Sequence, residues 1–115
     1  MIRFGESSVG VARGALLLFS AFENGGEMWT GSGPRLVRQR VTFGESFLSE
    51  PVVHVSLGMW DIDASANQRV DIEADRITPE GFDVVFRTWG DTRVARVRAE
   101  WLAFGPVRHT DDFEV

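Results

Sequence analysis

From Val41 onward apolar residues recur at every second position rather than at a helix's 3.6, and turn residues interrupt them about every ten residues. That rhythm predicts antiparallel strands and an all-β domain. Val53, Val55, Leu57 and Met59 fall on one face of a strand, and His54, Ser56, Gly58 and Trp60 on the other. The next strand alternates Val70, Ile72 and Ala74 with Arg69, Asp71, Glu73 and Asp75, which predicts a half-buried strand with a charged outer face. Ile77-Thr78-Pro79-Glu80-Gly81 predicts a turn, because proline fixes one φ and glycine is free to take a positive one. Phe82, Val84 and Phe86 mark the buried side of the following strand. Ala95, Val97, Ala99, Trp101 and Ala103 mark that of the last, opposite Arg96, Arg98 and Glu100.

The N-terminal third is less regular. Val9 to Val11 and Ala15 to Phe19 each predict a short strand, while Glu23-Asn24-Gly25-Gly26 and Thr30-Gly31-Ser32-Gly33-Pro34 are loop signals. Trp29, between those loops, reads as a plug over one end of a sandwich in preference to a ligand contact. Thr110-Asp111-Asp112-Phe113-Glu114-Val115 reads as a loose acidic tail. The expected organisation is an N-terminal strand and Gly-rich loop packing on the sandwich (1–34), a β-sandwich (35–105) and an acidic tail (106–115).

With 115 residues, nine Phe and four Trp, the chain has material for one core. The net charge of -5 argues against a nucleic-acid partner, which requires clustered Lys and Arg. The absence of Cys leaves no disulfide and no thiolate metal site. Ala15-Leu16-Leu17-Leu18-Phe19, the longest apolar run, is too short to span a bilayer and lacks a signal-peptide cleavage site. The chain therefore reads as soluble, unprocessed and without membrane insertion. Its compartment is left open, with export or a place in a particle both compatible.

No catalytic constellation stands out, so the expectation is a non-enzyme without a cofactor. His54 and His109 are the only imidazoles, and neither has a Ser or Cys in a nucleophile setting. Asp61 and Asp63 have the spacing of paired ligands or of an acid/base pair, but Ca²⁺ demands more oxygens in a tight run, and no metal is expected. Asp71 and Glu73 read as cross-strand partners of Arg96 and Arg98, or else as rows of charge at a subunit contact. The segment from Gly81 to Thr92 is more informative, since an alternating strand ends there by pushing Trp89 into a short polar turn. If its strand neighbours the one that follows Asn67 and Arg69, an amide, a guanidinium and an indole converge at one end of a sheet. Such a set suits a sugar, whose C–H face lies on the indole while its hydroxyls bond Arg and Asn. The alternative is that Arg69 pairs with Asp91 and Trp89 caps the core; spacing does not separate the two.

Val41-Thr42-Phe43, Phe47, Pro51-Val52-Val53, Asp61, Asn67-Gln68-Arg69-Val70, Thr78-Pro79-Glu80-Gly81-Phe82, Thr88-Trp89, Thr92 and Trp101 resemble the H-type lectin domain, the family of snail agglutinins and the C-terminal domain of discoidins. The resemblance runs from about Arg35 to Phe104 and implies a six-stranded antiparallel β-sandwich, here with an extra N-terminal strand and loop. It also implies a carbohydrate-binding lectin for galactose or N-acetylgalactosamine-type glycans, assembled as a homotrimer or hexamer with sites between subunits. The family's sugar-contacting Arg falls on Arg69 and its cleft-lining Trp on Trp89, with Asn67 in the same motif and Asp91 in the following turn. Where the snail lectins have a His after the Trp this chain has Gly90, where they have a Tyr it has Ala95, and their acidic N-terminal contact falls near Ser32. The other function class compatible with the sequence is a structural or adhesion module of a larger assembly, such as a phage-like particle, with a protein partner.

Overall fold

The computed structural model describes residues 1–5, 7–20 and 26–109, and the acidic segment 110–115 lies outside them. The described residues form six strands: β1 (Ser8–Ser20), β2 (Arg35–Thr42), β3 (Val52–Ile62), β4 (Val70–Thr78), β5 (Gly81–Thr88) and β6 (Val94–Val107). A single turn of helix, α1 (Glu27–Thr30), precedes β2. The strands form two three-stranded antiparallel sheets in the orders β1-β6-β3 and β2-β5-β4. No helix among the described residues is long and apolar enough to cross a membrane.

The alternating pattern produces this architecture because each sheet turns one apolar row inward. Phe82, Val84 and Phe86 of β5 face Val97, Ala99 and Ala103 of β6, and all six are fully buried. Trp101 lies 5.4 Å from Phe82 and 5.7 Å from Phe43, and Phe43 meets Phe47 edge-on at 5.0 Å. Each fully buried Phe or Val contributes about 1.5–3 kcal/mol relative to exposure. The two short strands expected before residue 20 are one continuous strand, β1, which pairs with β6 from Ser8↔Val107 to Ser20↔Arg96. Gly14 permits that continuity: it sits opposite Trp101, and a Cβ there would lie 2.8 Å from the indole. β6 itself runs to Val107, so the expected tail region from 106 starts as strand.

Two sequence expectations are corrected. A bulge in β3 between Leu57 and Met59 resets the alternation, so Met59 sits opposite Arg98 and Trp60 opposite buried Val97, the reverse of the expected faces. Asp71 and Glu73 do not meet Arg96 and Arg98, because β4 and β6 lie in different sheets. Their partner is Arg87 on adjacent β5, at 3.5 Å from Asp71 and in a close ion pair with Glu73. Arg96 instead pairs with Asp61 at 3.1 Å, and Arg98 with Glu100 at 3.6 Å.

The outer face of β2-β5-β4 is closed by its own charges. Asp83 of β5 is buried there beneath Arg38 at 2.9 Å and Arg40 at 3.3 Å, and Arg38 also reaches Asp75 at 2.9 Å. Burial alone would push the Asp83 carboxyl up, yet bonds from Arg38 and Arg40 hold it below the ordinary carboxylate range. A depressed folded pKa gives stability that is full above the unfolded value, about pH 4, and is lost as pH falls through the folded one. Asp83→Asn should therefore cost about 2 kcal/mol near neutral pH, and the cost should shrink as the pH falls below about 4. Urea titrations of both proteins at several pH values check this, and a pH-independent difference would count against it.

Candidate functional site

β5 ends at Thr88, which pairs with Arg35 of β2 on one side and Val70 of β4 on the other. Continuing both registers one step brings Pro34, Trp89 and Arg69 abreast on the outer face at one end of the sheet. The chain between them is tied down by hydroxyls and carbonyls. Thr88 Oγ1 donates to the Arg69 carbonyl at 2.6 Å, the Arg69 N–H donates to Thr92 Oγ1 at 3.0 Å, and Thr92 Oγ1 donates to the Asn67 carbonyl. Both threonines are fully buried, which makes these bonds fixed struts rather than solvent contacts.

Between β5 and β6 the chain turns at Gly90, whose φ is +69°, a conformation glycine adopts without strain. The turn places Asp91 against Arg69, the partner of the alternative reading, and also against Asn67: Arg69 Nη1 donates to its carboxylate at 3.0 Å and Asn67 Nδ2 at 3.2 Å. The Asn67 amide above all, then backbone N–H groups and least the Arg69 charge, hold the Asp91 carboxyl below its usual range. Ser32 is exposed at the same end, beside Gly33, whose N–H donates to the Gly90 carbonyl at 2.9 Å. Arg69, Asn67, Asp91, Gly90 and Ser32 thus belong to one cluster of loops.

Trp89 does not cap the core. It is 42% exposed and lines a hollow of about 280 Å³ with Pro34, Arg35, Leu36, Arg87 and Thr88. Arg69 does pair with Asp91, so the structure combines one half of each sequence alternative: an ion-paired arginine beside an open indole. A wider hollow of about 620 Å³ lies on the other sheet, along Arg13, His54, Ser56 and Glu100. Its tryptophan, Trp101, is part-buried and packs against Phe43 and Phe82.

The residue that sequence reasoning missed is Arg35. Its side chain is buried, and its guanidinium donates to four backbone carbonyls: Gly33 at 2.9 Å, Met28 at 3.1 Å, Thr92 at 2.8 Å and Gly90 at 3.3 Å. It fastens α1 and the Gly-rich loop to the turn that carries Gly90 and Asp91. The alternation does carry a signal, since Arg35 shares the parity of inward-facing Val37 and Val41 while Arg38 and Arg40 fall on the opposite face. Trp29, in α1, packs against the core cluster, with Arg93 4.6 Å above its ring and bonded to its carbonyl at 2.9 Å. Asp63 accepts from the Ser65 N–H and hydroxyl and lies 3.7 Å from Arg93, whereas Asp61 is engaged by Arg96. Ala95 is buried and lines no part of the hollow beside Trp89.

The model of the H-type lectin domain matches residues 38–104. A Fuscovulum blasticum protein designated ATP synthase subunits region ORF 7 is 57% identical over 115 residues, covering all of this chain and 99% of that one. A discoidin-1 chain of Dictyostelium discoideum is 37% identical over 75 residues, which are 64% of this chain and 30% of the discoidin. The solved structure of recombinant discoidin II from the same organism superposes with a TM-score of 0.69 at 25% identity, over 92% of this chain and 40% of that one. The chain thus spans less than half the length of the discoidins it matches. The family model covers more than half of the chain, and the two-sheet β-sandwich agrees with it: this chain belongs to the H-type lectin domain family.

Proposed function

We propose that the chain is a noncatalytic carbohydrate-binding module for galactose or N-acetylgalactosamine-type glycans, with Arg69 and Trp89 as its main contacts. The observation that carries this reading is the part-exposed Trp89 indole at the same end of the sheet as Arg69, whose guanidinium bonds Asp91, a carboxylate that Asn67 braces in turn. A pyranose presents an apolar C–H face and a rim of hydroxyls, and this pairing matches both. Asn67, Asp91, Gly90 and Ser32 shape the rim. Assembly as a homotrimer or hexamer would set several modest sites side by side, raising avidity without new contacts. A glycan array read with wild type, Arg69→Ala and Trp89→Ala tests the reading. Strong wild-type signals that fall in both variants support it, while equal signals remove these residues from the site. A blank array with a protein captured instead would favour a structural or adhesion module.

Gly90 offers a gain-of-function check. A Cβ at this position would meet only Arg69, at 3.5 Å or more, so space exists for a side chain. Gly90→His, which installs the residue that the snail lectins have here, should strengthen galactoside binding about fivefold through one added hydrogen bond. The positive φ should cost about 1 kcal/mol of stability. Calorimetric titration with a simple galactoside reads the first effect and a thermal melt the second.

A further inference from the structure

The two flanks of the Trp89 indole are furnished differently. On the β4 side stand Arg69, Asn67 and Asp91, which supply donors and acceptors for hydroxyls. On the β2 side lies the hollow of about 280 Å³, and none of those three residues lines it. Its wall comes from two neighbouring rows of the outer face: Leu36 stands opposite Arg87, and Pro34 and Trp89 follow on the same face. Leu36 is 49% exposed, on a face otherwise occupied largely by the charges of Arg38, Arg40, Glu73 and Asp75. A single exposed leucine is ordinary. One that shares a hollow with an exposed indole makes an apolar corner at the rim of the site.

The polar side chains of the wall are engaged elsewhere. Arg35 gives its guanidinium to four backbone carbonyls, and Thr88 donates its hydroxyl to the Arg69 carbonyl. The Arg87 guanidinium is drawn toward β4 by Asp71 and Glu73, away from Leu36, which leaves its aliphatic stem to line the hollow. A hydroxyl entering here would give up water for side chains whose polar groups are already bonded, at a net cost. An acetamido group fits poorly for the same reason, since its N–H and carbonyl both need partners. Whole small-molecule sites enclose about 300–1,000 Å³, so a hollow of this size suits one apolar portion of a ligand held mainly by its neighbour. We infer that the hollow between Trp89, Pro34 and Leu36 receives an alkyl aglycone, and that the chain binds galactosides carrying an apolar chain on the anomeric oxygen, the chemistry of a glycolipid head group. This rests on the sugar reading above and adds to it the substituent that the sugar bears.

Calorimetric titration with methyl, butyl and octyl galactoside, the last below its micelle-forming concentration, tests the inference on wild type, Leu36→Ser, Leu36→Gln and Val9→Ser. Each methylene buried in the hollow should strengthen binding about fourfold, so octyl galactoside should bind wild type more tightly than methyl galactoside by about tenfold or more. In both Leu36 variants that ratio should fall to about twofold. Val9→Ser removes an apolar side chain that is 57% exposed on the other sheet, and its ratio should match wild type. Circular dichroism identifies the folded variants, and Leu36→Gln, closer in size to leucine, carries the test if the serine variant unfolds. A wild-type series that stays flat from methyl to octyl, or a ratio that the Leu36 variants leave intact, overturns the inference, while binding of methyl galactoside keeps the sugar reading standing. A gain for methyl N-acetylgalactosaminide over methyl galactoside that the Leu36 variants abolish also overturns it, because the acetamide then fills the hollow. If no galactoside binds at any chain length, both readings fall together.

Discussion

Arg35→Ala is expected to lower the melting temperature by about 15 °C, the largest stability effect of any single substitution near the site. The side chain is buried and its five donors serve four carbonyls drawn from α1, the Gly-rich loop and the turn after β5. Truncation leaves those acceptors without their cation, and a buried unsatisfied polar group costs about 1–3 kcal/mol. Neighbouring carbonyls relax and some are rehydrated, so a total of about 3 kcal/mol is the working figure. Arg35→Lys keeps the charge but not the planar fork, and a single ammonium cannot span four carbonyls on three segments. It should recover less than half of the loss. The same substitution should also weaken glycan binding, since Arg35 holds the Gly90 carbonyl and with it the turn that carries Asp91. Thermal melts of the three proteins decide the matter: a melting point for Arg35→Ala within a few degrees of wild type would mean that the loops hold their geometry without it.

Trp89→Ala should reduce affinity for a monovalent galactoside about thirtyfold, equivalent to about 2 kcal/mol of lost stacking and apolar contact. Because Trp89 is 42% exposed and lies outside the core cluster, the melting temperature should stay nearly constant. That separation is the diagnostic, since a core residue would lose stability and binding together. Trp89→Phe keeps a smaller flat face and should retain an intermediate affinity. Arg69→Ala should have an effect of similar size on binding and little on stability, because its pair with Asp91 is solvent-exposed and such pairs add little. Asp91 stays ionised below the usual carboxylate range, so the arrangement of Arg69 should persist, and binding should stay level from about pH 8 to about pH 4. Isothermal titration across that range checks it; a drop in affinity already near pH 6 would point to a different titrating group.

The sequence by itself determined the strands and most of the inward residues, because a two-residue period is a local property that Phe82, Val84, Phe86, Val97 and Ala99 display without reference to anything distant. It also singled out Arg69, Trp89 and Asp91, since a tryptophan driven into a polar turn is visible locally and the order of motifs places the rest. Which strands become neighbours is not local. β4 pairs with β5 and not with β6, and this alone hands Asp71 and Glu73 to Arg87 and leaves Arg96 to Asp61. The bulge after Leu57 inverts Met59 and Trp60, because one inserted residue shifts every later side chain to the opposite face. Arg35 shares the inward parity of Val37 and Val41, but the four carbonyls that receive its guanidinium are brought together only by the fold. Tertiary structure decided those matters because each depends on groups far apart in the chain, whose meeting is set by the packing of two sheets and not by any short stretch of residues.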